Sequence, residues 1–241
     1  MELSPEAIAH SCSRILLSLP GPEEVRAVAS QLELCAAPGS AILDTTTGDP
    51  ILVEQLAARM ARQGVSWLDA EIGGSSRQTA EGNSIVLCGG TPEAFEQNRD
   101  ILDAISPGVF RTGPVGTGTR MKLALNIAIG LHRAVLAESL SFARANGIDA
   151  KLALEIFKAG PAYSRAMDVK GHKMLTGDFT PEARLLQHLK DVRIIRAVGN
   201  QTGARLPLSA VHEQLLTEAV ERGLGDQDNS AIAQLFAGTT E

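Results

Sequence analysis

The chain has 241 residues, 44% of them hydrophobic and 21% charged, with a formal net charge of −6. That balance belongs to a globular protein with enough apolar material for one large core or two modest ones. It excludes nucleic-acid binding as a main task, because neutralising phosphates needs clustered Lys and Arg and no basic run here exceeds two residues.

In chain order, Met1-Glu2-Leu3-Ser4-Pro5-Glu6 has neither the basic region nor the apolar core of a signal peptide. Residues 14–19 read as a buried strand, stopped by Pro20-Gly21-Pro22, and Pro22 suits the first turn of a helix reaching Leu34. A strand follows over 41–44, a helix near 50–63, and strands over 65–68 and 84–88. Thr91-Pro92-Glu93 has the chemistry of a capped helix start, with that helix running to about Ile105. This alternation is the rhythm of βαβ units around a parallel sheet.

After Gly113 only helices are predicted. The first covers about 118–146, on the order of 45 Å long, and ends at Asn146-Gly147, with Asp149 as the next N-cap. Further helices are predicted near 150–158, 183–203, 207–222 and 228–236. The long helix contains Lys122, Asn126, His132, Arg133 and Glu138, which break any run able to cross a bilayer. The change near Gly113 sets the expected boundary, with a sheet domain over 1–112 and an all-helical domain over 113–241.

Several chemistries find no support. Cys12, Cys35 and Cys88 form no Cys-x-x-Cys pair, and the five histidines form no His-Glu-x-x-His or His-x-His pair, so neither a metal site nor a disulfide framework is indicated. No Gly-x-Ser-x-Gly elbow is present.

The informative segment is Gly113 to Asn126, GPVGTGTRMKLALN, in which a glycine-broken turn feeds the long helix. Lys122 and Asn126, four residues apart, share one helix face, so an ammonium and a carboxamide project together at a helix start. Other landmarks precede and follow in order: Leu19-Pro20 after the first strand, Asp44-Thr45-Thr46-Thr47 with Pro50, Asp69-Ala70-Glu71-Ile72-Gly73-Gly74-Ser75, Gly82, Gly89-Gly90, Leu189-Lys190-Asp191, and a terminal turn from Gly223 to Ser230.

Together these segments resemble the β-hydroxyacid dehydrogenase family, which includes 3-hydroxyisobutyrate dehydrogenase, tartronate semialdehyde reductase and the longer 6-phosphogluconate dehydrogenases. The resemblance implies an α/β fold: an incomplete Rossmann-like parallel sheet that binds NAD or NADP over 1–112, and an all-α domain, serving substrate binding and dimerisation, entered through a long helix. It implies hydride transfer between nicotinamide and a small hydroxy acid or semialdehyde, with Lys122 as general acid/base and Asn126 holding a substrate oxygen. Leu19, Pro20, Thr46 and Lys190 are then cofactor-binding, Gly73, Gly74, Ser75 and Thr46 substrate-binding, and the protein a cytoplasmic homodimer or homotetramer. The expected arrangement sets Lys122 beside Asn126, facing the Thr46 hydroxyl and the Gly73 loop.

Two departures from the family pattern stand out. Glu71 occupies the family's proline position, where its carboxylate would repel an acidic substrate if it faced the site; Gly73 replaces a serine and Ser75 a glycine, with Ser76 as a second hydroxyl. The Gly-x-Gly-x-x-Gly fingerprint is absent; the nearest match, Gly116 to Met121, ends in a bulky residue and reads as a helix start. The sequence thus resembles a member that begins partway through its cofactor domain, one to two βα units short, with weakened dinucleotide binding. The competing reading is a non-catalytic remnant that assembles with partners through the small residues Ala124, Ala128, Gly130, Ala134 and Ala137 of the long helix.

Overall fold

The structure is a computed structural model that describes residues 4–237; Met1, Glu2 and Leu3 of the N-terminal reading lie outside them. The chain divides into two compact units, one ending at Ala124 and one starting at Leu125.

The first unit contains α1 (Pro5–Ser11), β1 (Arg14–Leu17), α2 (Pro22–Leu32), β2 (Ala41–Asp44), α3 (Pro50–Ala61), β3 (Ser66–Gly73), α4 (Ser76–Ala80), β4 (Ile85–Gly89), α5 (Pro92–Gln97), α6 (Arg99–Ile105) and β5 (Gly108–Gly113). The five strands lie in sequence order. β1, β2 and β3 run parallel, with Leu17, Asp44 and Asp69 in register, and β4 and β5 are parallel to each other. β4 runs antiparallel to β3, so the expected parallel sheet is a mixed one. The reason lies in the connection: segment 74–84 holds only the five-residue α4, and a parallel crossover needs a dozen or more residues.

β2 is buried along its whole length, as a strand covered on both faces must be, and Ala41, Ile42 and Leu43 are correspondingly apolar without alternation before the buried Asp44. On one face Ile42 and Trp67 pack with Val25, Leu32, Leu56 and Met60 of α2 and α3. On the other, Leu43, Leu68 and Val86 pack with Phe95 and Leu102 of α5 and α6. The single helix expected from Thr91 to Ile105 is broken at Asn98, whose Nδ2 donates to the Ala94 carbonyl at 2.8 Å.

The long helix α7 (Thr117–Ala145) crosses the division between the units. The second unit continues with α8 (Ala150–Ala159), α9 (Arg165–Thr176), α10 (Leu185–Thr202), α11 (Pro207–Glu221) and a closing 3₁₀ segment, Asn229–Leu235, in place of the expected last α-helix. Leu136, Leu140, Leu185, Leu189, Leu216 and Ile232 form its core. By length and composition α7 is apolar enough to cross a membrane, yet it places Leu136, Ala137 and Leu140 in this core and buries Arg133.

α9 was not expected, because Gly171 interrupts a weakly apolar stretch. A Cβ there would lie 2.8 Å from a Leu154 methyl carbon, so the glycine permits close approach to α8. α9 also carries the buried Lys170, whose Nζ donates to Asp228 at 2.9 Å and Glu182 at 3.1 Å. Asp228 caps the closing segment through the Ser230 amide, as expected, and its carboxylate also accepts from the Glu182 amide.

Candidate active site

The site is organised by one buried carboxylate. Asp69 sits on β3 at the position paired with Gly89 of β4, and its side chain reaches the start of α7. Oδ1 accepts from the Gly116 amide at 2.8 Å; Oδ2 accepts from the Thr119 amide at 2.8 Å and the Thr119 hydroxyl at 3.2 Å. Amides in the first turn of a helix have no intrahelical acceptor, and a negative charge there also meets the positive end of the helix dipole. Asp69 therefore caps α7 from another part of the chain. Burial pushes its carboxyl up, and the Thr119 and Gly116 amides oppose that rise.

Gly118 lets the helix start lie directly on the sheet. A Cβ there would fall 2.3 Å from the Asp69 carbonyl oxygen and 2.6 Å from that of Leu87. Gly116 has φ +87°, a conformation other residues rarely adopt. The glycines that resembled a nucleotide fingerprint thus form a helix start, and the Gly116 amide is spent on Asp69.

From this start α7 brings Lys122 inward. It is 9% exposed, and its Nζ donates to the Ile72 carbonyl of β3 at 2.6 Å. The amine therefore stands at the strand that leads into the Gly73 turn. Thr46 accepts the Leu19 amide at 3.0 Å, which ties the loops after β1 and β2 together. Leu19 is half-buried and Pro20 exposed. Gly74 is exposed, and a Cβ on it would meet the Ser84 Cβ at 2.9 Å. Ser75 is engaged in a capping box: its Oγ accepts from the Gln78 amide, and its own amide donates to Gln78 Oε1 at 2.9 Å.

Leu19, Pro20, Thr46, Gly74 and Ser75 follow the carboxyl ends of β1, β2 and β3, where open α/β sheets bind ligands. A groove of about 740 Å³ at these ends is lined by Ser18, Thr45, Ile72, Gly74, Ser76 and Ala104 among others, and Lys122 and Thr46 are not part of its lining. In the second unit, Asn126 Nδ2 donates to Asp191 Oδ2 at 3.2 Å, and Lys190 Nζ lies 3.5 Å from Asp191 Oδ1. Asp191 thus binds both the carboxamide and the lysine named from the sequence. The sequence showed Asp191 as part of the Leu189-Lys190-Asp191 landmark, but nothing local pointed to Asn126 as its partner.

Glu71, expected to disturb the site if exposed, is fully buried and accepts from Thr47 Oγ1 at 2.8 Å. Burial drives its carboxyl well above the usual range against the opposing pull of the Lys122 ammonium. Asp44 is likewise pushed up by burial, to about 6, although the Thr46 amide bonds to it.

The loops after β1 and β2 present Ser18 and Thr45 to a groove at the carboxyl ends of parallel strands, the place where open α/β sheets take a dinucleotide; the Thr46 hydroxyl itself is engaged with the Leu19 amide and the Asp44 carboxyl.

A sheet with open loops at its parallel strand ends, and a helix that starts on that sheet with a buried lysine and runs on into a helical unit, is the architecture of a dinucleotide-dependent oxidoreductase. Residues 1–113 match the sequence profile described as the NAD binding domain of 6-phosphogluconate dehydrogenase. Residues 116–236 match that described as NAD-binding of NADP-dependent 3-hydroxyisobutyrate dehydrogenase. The chain is 28% identical over 239 residues to L-threonate dehydrogenase of Cupriavidus necator, covering 98% of this chain and 80% of that protein. It is 30% identical over 194 residues to the cytokine-like nuclear factor N-PAC of Aedes aegypti, covering 80% of this chain and 35% of that protein. Among solved structures, 3-hydroxyisobutyrate dehydrogenase of Mycobacterium tuberculosis, crystallised with L-serine, has the same fold at TM-score 0.89 and 20% identity, over 98% of this chain and 82% of that one. The chain belongs to the β-hydroxyacid dehydrogenase family and is an NAD(P)-dependent oxidoreductase of that type.

The buried Asp44 gives a pH signature. Its folded pKa, raised to about 6 from 3.8, means that the folded state holds the proton more tightly; the associated stability is complete below the unfolded value and lost as pH rises through 6. Chemical denaturation of wild type and Asp44→Asn is expected to show curves that differ by about 2 kcal/mol more at pH 7.5 than at pH 4, the wild type losing ground as pH rises. Parallel curves would contradict this assignment.

Proposed function

We propose that the protein oxidises the hydroxyl of a small hydroxy acid, or reduces the matching semialdehyde, with Lys122 as the proton-transfer group. The observation that carries this reading is the position of the Lys122 amine, hydrogen-bonded to the Ile72 carbonyl beside the turn at the carboxyl end of β3. Bound NAD(P) supplies the hydride acceptor or donor. In oxidation the lysine takes the hydroxyl proton and in reduction it returns one, which is general acid–base catalysis by a group in reach of the reacting oxygen.

Asn126, with its Nδ2 donating to Asp191, offers Oδ1 to a substrate hydroxyl. The turn at Gly73 and Gly74 receives the substrate carboxylate, and the Ser75 capping box holds that turn in shape. Leu19, Pro20, Thr46 and Lys190 are the cofactor-binding residues of this reading. L-threonate dehydrogenase, and 2-(hydroxymethyl)glutarate dehydrogenase of Eubacterium barkeri, to which the chain is 27% identical over 241 residues, are named for hydroxy acids of this kind, which supports the substrate class.

We further propose a homodimer or homotetramer in the cytoplasm. Phe142, Val135, Ile156 and Ile148 are 70%, 60%, 56% and 46% exposed around one apolar groove, a surface that a second copy would cover. The free thiols Cys12, Cys35 and Cys88 suit a reducing compartment.

Lys122→Met is expected to lower kcat/KM for NAD(P)-linked oxidation of a hydroxy-acid panel by roughly 10²–10⁴, with cofactor binding by calorimetry unchanged; full activity in this variant would refute the role. Light scattering at micromolar concentration is expected to give a multiple of 25.4 kDa, and a monomer would refute the assembly.

A further inference from the structure

The residue least explained by the family pattern is Glu71. A glutamate with no solvent exposure at the middle of a sheet is costly unless its charge is compensated. One oxygen is satisfied by Thr47 Oγ1 at 2.8 Å, while Oε1 is buried with no hydrogen-bond partner. The charged groups acting on it are Lys122 from α7, Asp44 from β2 and Asp69 from its own strand. Two of these three are carboxyls, one of them already spent on capping α7. Lys122 is therefore the countercharge that makes Glu71 tolerable.

The geometry couples the two residues in the other direction as well. Lys122 Nζ is fixed on the carbonyl of Ile72, the residue next to Glu71, so the strand segment that seats the carboxyl also seats the amine. A buried ammonium beside a buried carboxyl does not titrate independently, because removing a proton from either leaves the other uncompensated. Nothing in this arrangement needs the carboxyl to touch substrate.

We propose that Glu71 is a positioning residue that acts through Lys122, its carboxyl holding the amine against the Ile72 carbonyl and setting the pH at which that amine gives up its proton. The ionisation half of this statement concerns the protein alone; its catalytic consequence rests on the proposed role of Lys122. With Glu71 in place the lysine retains its proton to higher pH, which favours its use as an acid in reduction and delays its use as a base in oxidation. Burial raises the Glu71 carboxyl, and the Lys122 ammonium opposes that rise, the behaviour of a pair that shares its titration.

The test is the titration of Lys122 in the full chain, followed by NMR with ¹³Cε-labelled lysine and assigned with Lys122→Arg. In wild type the Lys122 signal is expected to move in two steps, one its own and one reporting Glu71; a single step at the ordinary lysine position overturns the proposal, and this measurement needs no Glu71 variant to fold. In Glu71→Gln, which keeps shape and removes charge, the Lys122 pKa is expected to fall by at least one unit, a tenfold loss of proton affinity; an unmoved pKa also overturns it. The pH dependence of kcat/KM separates the two layers. A limb that shifts with the lysine titration supports the catalytic consequence, whereas a shifted titration with an unmoved pH–rate profile keeps the pairing and refutes the acid/base role of Lys122.

Discussion

The interaction on which the site depends is the clasp between the Asp69 carboxylate and the first turn of α7, formed by residues up to 50 positions apart in sequence. A carboxylate buried in a sheet is unfavourable by itself, and helix-start amides without acceptors are unfavourable by themselves. Joined, each offsets the cost of the other. The joint fixes where α7 starts, and the helix rise then fixes how far along the sheet Lys122 reaches. The glycines serve the same contact: Gly118 removes the side chain that would collide with the backbone of β3 and β4, and Gly116 supplies a left-handed turn.

Much of this was legible in the sequence because it followed local rules. The helix starts at Pro22, Pro50 and Pro207, the C-terminal stop at Asn146-Gly147 and the cap at Asp228 are short-range chemistry. The order of landmarks singled out Lys122 and Thr46 because their motifs are contiguous. Tertiary effects were not legible. β5 has no alternation and was missed, α9 was hidden by Gly171, and the antiparallel turn from β3 to β4 depends on a connection whose shortness only matters once both strands are recognised. Asp69 read as part of a motif with no stated partner, since nothing local indicates that a strand carboxylate caps a helix far along the chain.

Glu71 shows a different kind of limit. Its charge suggested an intrusion into an anion site, yet β3 is covered on both faces at this point and the side chain is interior, where Asp44, Asp69 and Lys122 also act on it. The site is therefore electrostatically coupled: three raised carboxyls and one buried ammonium respond to one another.

The most direct test of this account is amide hydrogen exchange at Gly116 and Thr119 in wild type and Asp69→Asn, a change that keeps the shape and replaces one acceptor with a donor. The account predicts that protection at both amides falls on the order of a hundredfold while protection in the helical core around Leu189 and Leu216 is retained. Unchanged protection at Gly116 and Thr119 would mean that α7 starts where it does without Asp69, and would contradict the central claim.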